Sequence, residues 1–377
     1  MIKYSERCTG CGACLNVCPV SAIKMEKMDA YIYPVIDNAV CIKCNKCSNV
    51  CMIDKETVRN DSLLKFEYRM QSDDILNSSS GGFCFSLSKA FIEKLKGIVY
   101  AASFNKVKKI VEHKRIQDIE GLIETRGSKY VKSEHYSVYK LIKEDLDTGR
   151  SVLFIGLPCE NHGLLSFLGK QYGNLFTISL LCGGAVSNDF FKKYIEELEK
   201  HFKQPLSGIN FRNKKYGADI LCTSVRLANS KEIILKNRYD YYIPLEGSRF
   251  VRPSCHYCKL SPDYINSDFV VGDCFGGAAR KNGLTVVLTK QYKKVNALLN
   301  ELDIDLIENE HLQVSSRAIN NIKKQTNPPT QKEYSVFIND CECNLNSAIK
   351  SHIYSKYTFK QKVYRVLPYM LKAKLKK

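Results

Sequence analysis

At 377 residues, with 44% hydrophobic and 25% charged residues, the chain has the composition of a folded globular protein and the length for two or three domains. Its formal net charge of +18 admits nucleic acid, an anionic membrane surface or an acidic protein as partner. No helix-turn-helix, zinc-finger or RNA-binding signature accompanies that charge, which argues against nucleic acid. The longest apolar stretch, Leu175 to Val186, is interrupted by Thr177 and Ser179 and falls short of the roughly 20 residues of a spanning helix. The start, Met1 to Arg7, has no apolar leader, and the expected location is the cytoplasm.

Cysteine is the outlier. There are 17, an odd number, gathered in tight spacings that favour metal ligation over disulfide pairing. In chain order, Cys8, Cys11, Cys14 and Cys18, followed by Pro19, have the spacing C-x2-C-x2-C-x3-C, and Cys41, Cys44, Cys47 and Cys51 repeat it. Ligands at every third residue wrap three corners of a cubane before the chain turns into a short helix, and in bacterial two-cluster ferredoxins the fourth cysteine serves the other cluster. That predicts Cys8, Cys11, Cys14 and Cys51 around one 4Fe-4S cluster, and Cys41, Cys44, Cys47 and Cys18 around the other. Gly10 and Gly12 suit the close backbone approach. Met52 stands where a second proline is usual. Zinc, which uses paired C-x2-C knuckles, is the competing reading, and two identical four-cysteine runs weigh against it.

Residues 1–58 are therefore expected to form a two-cluster ferredoxin domain, with a polar linker over 59–76. The segment Asn77-Ser78-Ser79-Ser80-Gly81-Gly82 then opens an apolar-periodic helix running through Leu95. Strands are expected at Gly97 to Phe104, Ser151 to Ile155, Phe176 to Leu181, Phe269 to Gly272 and Thr285 to Thr289. Helices are expected at Tyr136 to Leu146, Asn188 to Phe202 and Tyr292 to Leu302. With Ile220 to Leu235 read as a strand pair, the fold class is α+β: a ferredoxin fold followed by a mixed α/β domain over 77–330. Residues 331–377 read as a basic amphipathic tail, without an acidic residue from Asn344 onward. Such a tail suits peripheral contact with an anionic membrane, docking on an acidic partner, or packing on its own domain.

Four further cysteines stand in suggestive surroundings: Cys159 in Leu157-Pro158-Cys159-Glu160, Cys182 after an apolar strand, and Cys255 with Cys258 in Arg252-Pro253-Ser254-Cys255-His256-Tyr257-Cys258. By themselves they are equally compatible with zinc, a cluster, a redox pair or buried core thiols. From Ser78 to Thr289, however, the chain resembles the family of coenzyme F420 hydrogenase/dehydrogenase beta subunits. The resemblance is carried by Ser79-Ser80-Gly81-Gly82, Gly127-Ser128-Lys129-Tyr130-Val131, Leu157-Pro158-Cys159, Leu181-Cys182, Phe211-Arg212-Asn213-Lys214, the block Arg252 to Cys258, and Ser267-Asp268-Phe269-Val270-Val271-Gly272-Asp273. Where the family usually has Pro-Cys-Gln, this chain reads Pro158-Cys159-Glu160.

The resemblance implies a domain that binds FAD and one 4Fe-4S cluster, with Cys159, Cys182, Cys255 and Cys258 holding a third cluster beside the flavin. It also implies flavin contacts from Ser80, Gly81, Gly82, Lys129, Gly272 and Asp273. The expected function is an iron-sulfur flavoprotein oxidoreductase that exchanges hydride with a small organic substrate or a deazaflavin such as coenzyme F420; some bacterial relatives lie among polysaccharide pathways. The expected partner is ferredoxin or another acidic electron-transfer protein. The alternative is a non-catalytic electron-transfer subunit of a larger redox complex.

Overall fold

The computed structural model describes residues 5–28, 30–53, 63–220, 222–235, 250–260, 265–274, 282–290, 292–312, 329–352 and 372. The N-terminal module is built on its cysteine spacing. Gly10 and Gly12 take φ of +65° and +76°, and helix α1 (Ala13–Val17) starts directly after Gly12. The second run bends the same way at the equivalent positions, where Lys43 (φ +55°) and Asn45 (φ +58°) stand before helix α2 (Lys46–Asn49). Left-handed backbone at a lysine is unfavourable, so the repeated geometry reflects the spacing of the thiols. Between the runs, strands β1 (Ile23–Met28) and β2 (Tyr31–Ile36) pair antiparallel.

The second part is organised on an eight-stranded mixed sheet. In chain order its strands are β3 (Leu64–Tyr68), β4 (Ile98–Asn105), β5 (Ile110–Ile116), β6 (Val152–Gly156), β7 (Leu175–Leu180), β11 (Phe269–Asp273), β12 (Thr285–Thr289) and β13 (Ile307–Glu308); β8 to β10 form a separate sheet described below. The spatial order is β13-β3-β12-β11-β7-β6-β4-β5. Strands β11, β7, β6 and β4 run parallel, and antiparallel pairings flank them on both sides. Central parallel strands are covered on both faces and so read as continuous apolar runs, which is why β6 (Val-Leu-Phe-Ile-Gly) is buried at every position.

Alternation along the strands sorts the two faces. Val99, Leu153 and Ile155 point to one side, toward α3 (Phe83–Leu95), α4 (Ile119–Glu124) and α8 (Tyr292–Leu302). Ile98, Tyr100, Val152 and Phe154 point to the other, toward α5 (Val138–Asp147) and α6 (Pro158–Leu168). A three-stranded antiparallel sheet of β8 (Leu206–Asn210), β9 (Ser224–Leu227) and β10 (Glu232–Ile234) packs with α7 (Asn188–Phe202). β9 and β10 are the strand pair expected between Ile220 and Leu235.

One expectation needs correction, and one open reading of the tail is narrowed. The stretch read as a polar linker over 59–76 contributes β3, which lies between β12 and β13; Phe66 faces the core while Lys65 and Glu67 flank it. A strand with one buried face alternates polar and apolar residues and therefore looks hydrophilic in composition. The C-terminal tail begins as helix α9 (Gln331–His352), broken at Asn344 (φ −158°, ψ 104°), whose side chain accepts from the Ser347 amide at 2.9 Å and caps the second run. Phe337, Cys341, Leu345 and Ala348 are buried in the same core as Phe190, Tyr194 and Phe211. The basic residues beyond His352 lie outside the described residues, except Lys372. No described helix is long and apolar enough to cross a membrane.

Phe337 is stacked on Phe250 with ring centroids 3.7 Å apart and is 1% exposed. Replacing it with alanine is expected to cost about 3–5 kcal/mol in urea denaturation monitored by circular dichroism. A loss below about 1 kcal/mol would mean that α9 contributes no packing.

Candidate iron-sulfur site

The thiols fall into groups drawn from distant parts of the chain. Cys14, on α1, is pushed far above the ordinary thiol range, first by burial and then by Cys11, Cys8 and Cys51. Cys51 thus joins three members of the first run. Elsewhere, Cys159 sits in the first turn of α6, Cys182 just beyond β7, and Cys255 in a short 3-10 turn over Pro253–Tyr257 that ends at Cys258. Burial raises the Cys182 thiol well above its usual range, and Cys255, Cys159 and Cys258 add to the effect. Burial likewise takes Cys255 to about 12, with further contributions from Cys258 and Cys159.

Each group therefore lies close enough for its members to repel one another's thiolates, although among the described residues no three ligand-type side chains converge as they would on a single metal ion. Backbone amides already point at sulfur: Gly10 N–H at Cys8 Sγ (3.4 Å), Ala22 N–H at Cys18 Sγ (3.3 Å) and Gly184 N–H at Cys182 Sγ (3.3 Å). Partly buried thiols with amide donors suit a cluster, because iron takes the place of the thiol protons and the amides stabilise the sulfur charge. In the other set Cys44 is exposed, and Cys18, Cys41 and Cys47 are partly buried.

The first group and the Cys159 group are neighbours. A Cβ added at Gly163, on α6 one turn beyond Cys159, would stand 2.7 Å from Cys11 Cβ. His135 Nε2 lies 3.0 Å from the Cys11 carbonyl oxygen. Arg252, three residues before Cys255, donates from Nε to the Cys8 carbonyl oxygen (2.7 Å) and from Nη2 to that of Ile32 (2.9 Å), with its guanidinium over the Tyr33 ring. Asn16 donates to the Tyr136 carbonyl oxygen (3.0 Å), and Tyr31 OH to those of Ala185 and Phe250. These contacts seat the N-terminal module against the second part of the chain.

The residues assigned to flavin gather where the start of α3 meets β11 and β12, but their groups are engaged by the protein itself. Ser80 Oγ donates to the Leu284 carbonyl oxygen (2.7 Å). A side chain at Gly81 would strike the Tyr68 carbonyl oxygen at 2.1 Å, one at Gly82 would meet Met70 at 3.0 Å, and one at Gly272 would meet Leu181 at 2.3 Å. Lys129 Nζ turns back to the carbonyl oxygens of Thr125 and Arg126. Asp273 is paired with Arg212 at 2.6 Å.

Sequence reasoning did not single out Arg212 and Lys214 within their block. Lys214 Nζ donates to the carbonyl oxygens of Ile75, Ser80 and Asn282, and its pKa falls to about 8 through burial, then Arg212, with Asp273 opposing and Arg69 adding. Lys132, Glu160, His113 and His135 were also missed. They form a buried polar group around Cys159, and only the Glu160 departure from the family block hinted at it.

The fold and thiol groups define a 4Fe-4S ferredoxin-type N-terminal domain ahead of a mixed α/β domain. Residues 7–55 match the 4Fe-4S dicluster domain, and residues 149–314 match the family described as the C terminus of the coenzyme F420 hydrogenase/dehydrogenase beta subunit. Among characterised proteins, the chain is 23% identical over 268 residues to the F subunit of the F(420)H(2) dehydrogenase of Methanosarcina mazei, covering 67% of this chain and 71% of that protein. Among solved structures, a chain of the F420-reducing NiFe hydrogenase complex from Methanosarcina barkeri aligns with a TM-score of 0.47 at 16% identity, covering 71% of this chain and 90% of that one.

Burial lowers the Lys129 pKa to about 7. Between about pH 7 and 10.5 the unfolded chain holds this proton and the folded chain releases it, so Lys129 makes stability rise with pH across that window, by at most about 1.4 kcal/mol per pH unit. Lys129→Met is expected to remove that slope in urea titrations at pH 7, 8 and 9. Parallel pH profiles for the two proteins would contradict it.

Proposed function

We propose that the chain is an iron-sulfur electron-transfer protein of a dehydrogenase-like redox assembly, with clusters on Cys8, Cys11, Cys14 and Cys51, on Cys18, Cys41, Cys44 and Cys47, and on Cys159, Cys182, Cys255 and Cys258. The observation that carries this reading is the abutment of Cys11 on α6, one turn from Cys159. When bound, the clusters supply one-electron steps and FAD the two-electron hydride chemistry.

What the chain itself contributes is placement. Arg252 fixes the Cys8 loop and the Cys255 turn to each other and is itself 2% exposed. For FAD, the fit rests on charge. Arg69, Arg212 and Lys214 lie close enough to interact beside Asp273, and an anion such as a pyrophosphate would relieve their mutual repulsion. The relationship to the Methanosarcina mazei F(420)H(2) dehydrogenase protein favours a redox partner protein and a deazaflavin or similar small organic substrate.

The second run has the character of a docking edge for an acidic electron-transfer protein. Val40 and Ile42 are 44% and 61% exposed, and Lys43, Cys44 and Lys46 are exposed around them. Apolar residues ringed by lysines suit brief association steered by charge. Lys43→Glu with Lys46→Glu is expected to slow electron delivery from an acidic ferredoxin at least tenfold at low salt, and less at high salt, measured by stopped-flow bleaching of the clusters. An unchanged rate would place docking elsewhere.

Protein purified without oxygen is expected to contain about twelve iron atoms per chain and to release one FAD on denaturation. Cys255→Ser with Cys258→Ser should reduce iron to about eight per chain. About eight iron atoms in the parent protein would remove the third cluster from the proposal, and absence of FAD after reconstitution would leave an electron-transfer protein without flavin.

A further inference from the structure

Beneath Cys159 lies a group of charged and polar side chains sealed from solvent. Lys132 Nζ stands 3.4 Å from Cys159 Sγ and donates to Glu160 Oε1 at 2.9 Å; the two residues are 7% and 1% exposed. Glu160 is held from further directions: the Ser133 hydroxyl donates to Oε1 (3.0 Å), the Leu157 amide donates to Oε2 (2.8 Å), and His135 Nδ1 lies 3.6 Å from Oε1. Ser133 Oγ also meets His113 Nδ1 at 2.9 Å, and His113 Nε2 meets the Ile155 carbonyl oxygen at 2.9 Å. Both carboxylate oxygens are thus turned toward donors of the protein, and the ammonium is the end of the pair that faces sulfur.

Stability is a poor explanation for such a pair. Desolvating two charges costs several kcal/mol per ion, and apolar replacements of buried pairs are often neutral or stabilising. A specific effect on Cys159 is a better one. A cationic N–H donor at a ligand sulfur stabilises the more negative, reduced form of a cluster more than the oxidised form, and so raises its reduction potential. At the first thiol group the buried cation, Arg252, acts on Cys8 through space only: its Nε–H goes to the Cys8 carbonyl oxygen, and the hydrogen-bond donor to Cys8 Sγ is the neutral amide of Gly10.

We propose that Lys132, held in place by Glu160, raises the potential of the cluster on Cys159, Cys182, Cys255 and Cys258 above that of the cluster on Cys8, Cys11, Cys14 and Cys51. This inference rests on the reading that the Cys159 group holds a third cluster. One electron is lost by the first cluster and gained by the third; no bond is made or broken, and Lys132 keeps its proton. Lys132 is a positioning residue, acting on the cluster through its ligand sulfur.

The test is a redox titration, followed by electron paramagnetic resonance, of the full chain purified without oxygen, with iron and sulfide assayed on each sample. Lys132→Met is expected to lower the third cluster's midpoint by at least 59 mV, a tenfold change in the reduced-to-oxidised ratio for a one-electron couple. Lys132→Arg should retain most of the parent value, Glu160→Gln should shift the midpoint upward, and the ferredoxin-cluster midpoints should move less than the third, since Lys132 reaches Cys11 without a hydrogen bond to it. If Lys132→Met is recovered without its third cluster, the double variant with Glu160→Gln, which leaves no unpaired buried carboxylate, is compared with Glu160→Gln alone, and its third midpoint is expected to lie below that of the single variant. About twelve iron atoms with an unshifted third midpoint in the lysine variants overturns the inference alone. So does an equal fall in Glu160→Gln, the mark of a merely structural pair. About eight iron atoms in the parent overturns it together with the reading on which it rests.

Discussion

The space beside Gly163 is occupied by Cys11. A helix position without a side chain lets the first cysteine loop press against α6, so that a thiol of the N-terminal module comes within electrostatic reach of Cys159. Most of the arrangement depends on that approach. Cys11 is partly buried there and its thiol rises to about 11, first through desolvation, then through Cys8 and Cys159 acting against a neighbouring amide. Tyr139 and His135 complete the wall between the two groups. Arg252 closes the opposite side, satisfied by carbonyl oxygens of the N-terminal module and stacked on Tyr33. Any side chain larger than hydrogen at position 163 forces either the helix or the loop to move, and the tightly packed surroundings leave little room.

Charge is distributed unevenly around this contact. The protein is strongly basic overall, yet the groups that matter are single buried cations with specific acceptors: Lys132 on Glu160 and Cys159, Lys214 on three carbonyl oxygens, Arg212 on Asp273. Burial alone would lower the Lys132 pKa, but Cys159 and Glu160 outweigh it and hold the ammonium in its charged form. Glu160 shows the converse: burial would raise its carboxyl, and Lys132, with the Leu157 amide, outweighs it and holds the carboxyl low. His135 is pushed down to about 4 by burial and then by Lys132, with Glu160 opposing, and burial lowers His113 as well. Fixed charge beside a sulfur ligand is a cheap way to set a redox level, because it needs no movement during turnover.

Much of this was legible in the amino-acid sequence, and the exceptions have physical reasons. Continuous apolar runs announced the central strands: Ser151 to Ile155, Phe269 to Gly272 and Thr285 to Thr289 coincide with β6, β11 and β12 to within a residue or so. Asn188 to Phe202 and Tyr292 to Leu302 are the helices α7 and α8. Strand β3 was hidden because Lys65 and Glu67 gave it the look of a linker, and β5 because Glu112, His113, Lys114 and Arg115 fill its middle. The repeated cysteine runs were plain from spacing. The meeting of Cys159, Cys182, Cys255 and Cys258 was suggested by resemblance alone, since the chain crosses long stretches between them. Lys132 and Glu160 are 28 residues apart and meet only because the 131–135 segment runs beside the start of α6, a juxtaposition that no local pattern encodes.

The central claim is that the first cysteine group and the Cys159 group hold neighbouring clusters in contact across α6. The most direct measurement is the line shape and relaxation of the third cluster's electron paramagnetic resonance signal as the potential is lowered until the ferredoxin clusters also become reduced. Neighbouring paramagnets should split or broaden that signal and speed its relaxation. A final spectrum that is the plain sum of isolated, non-interacting signals would contradict the claim.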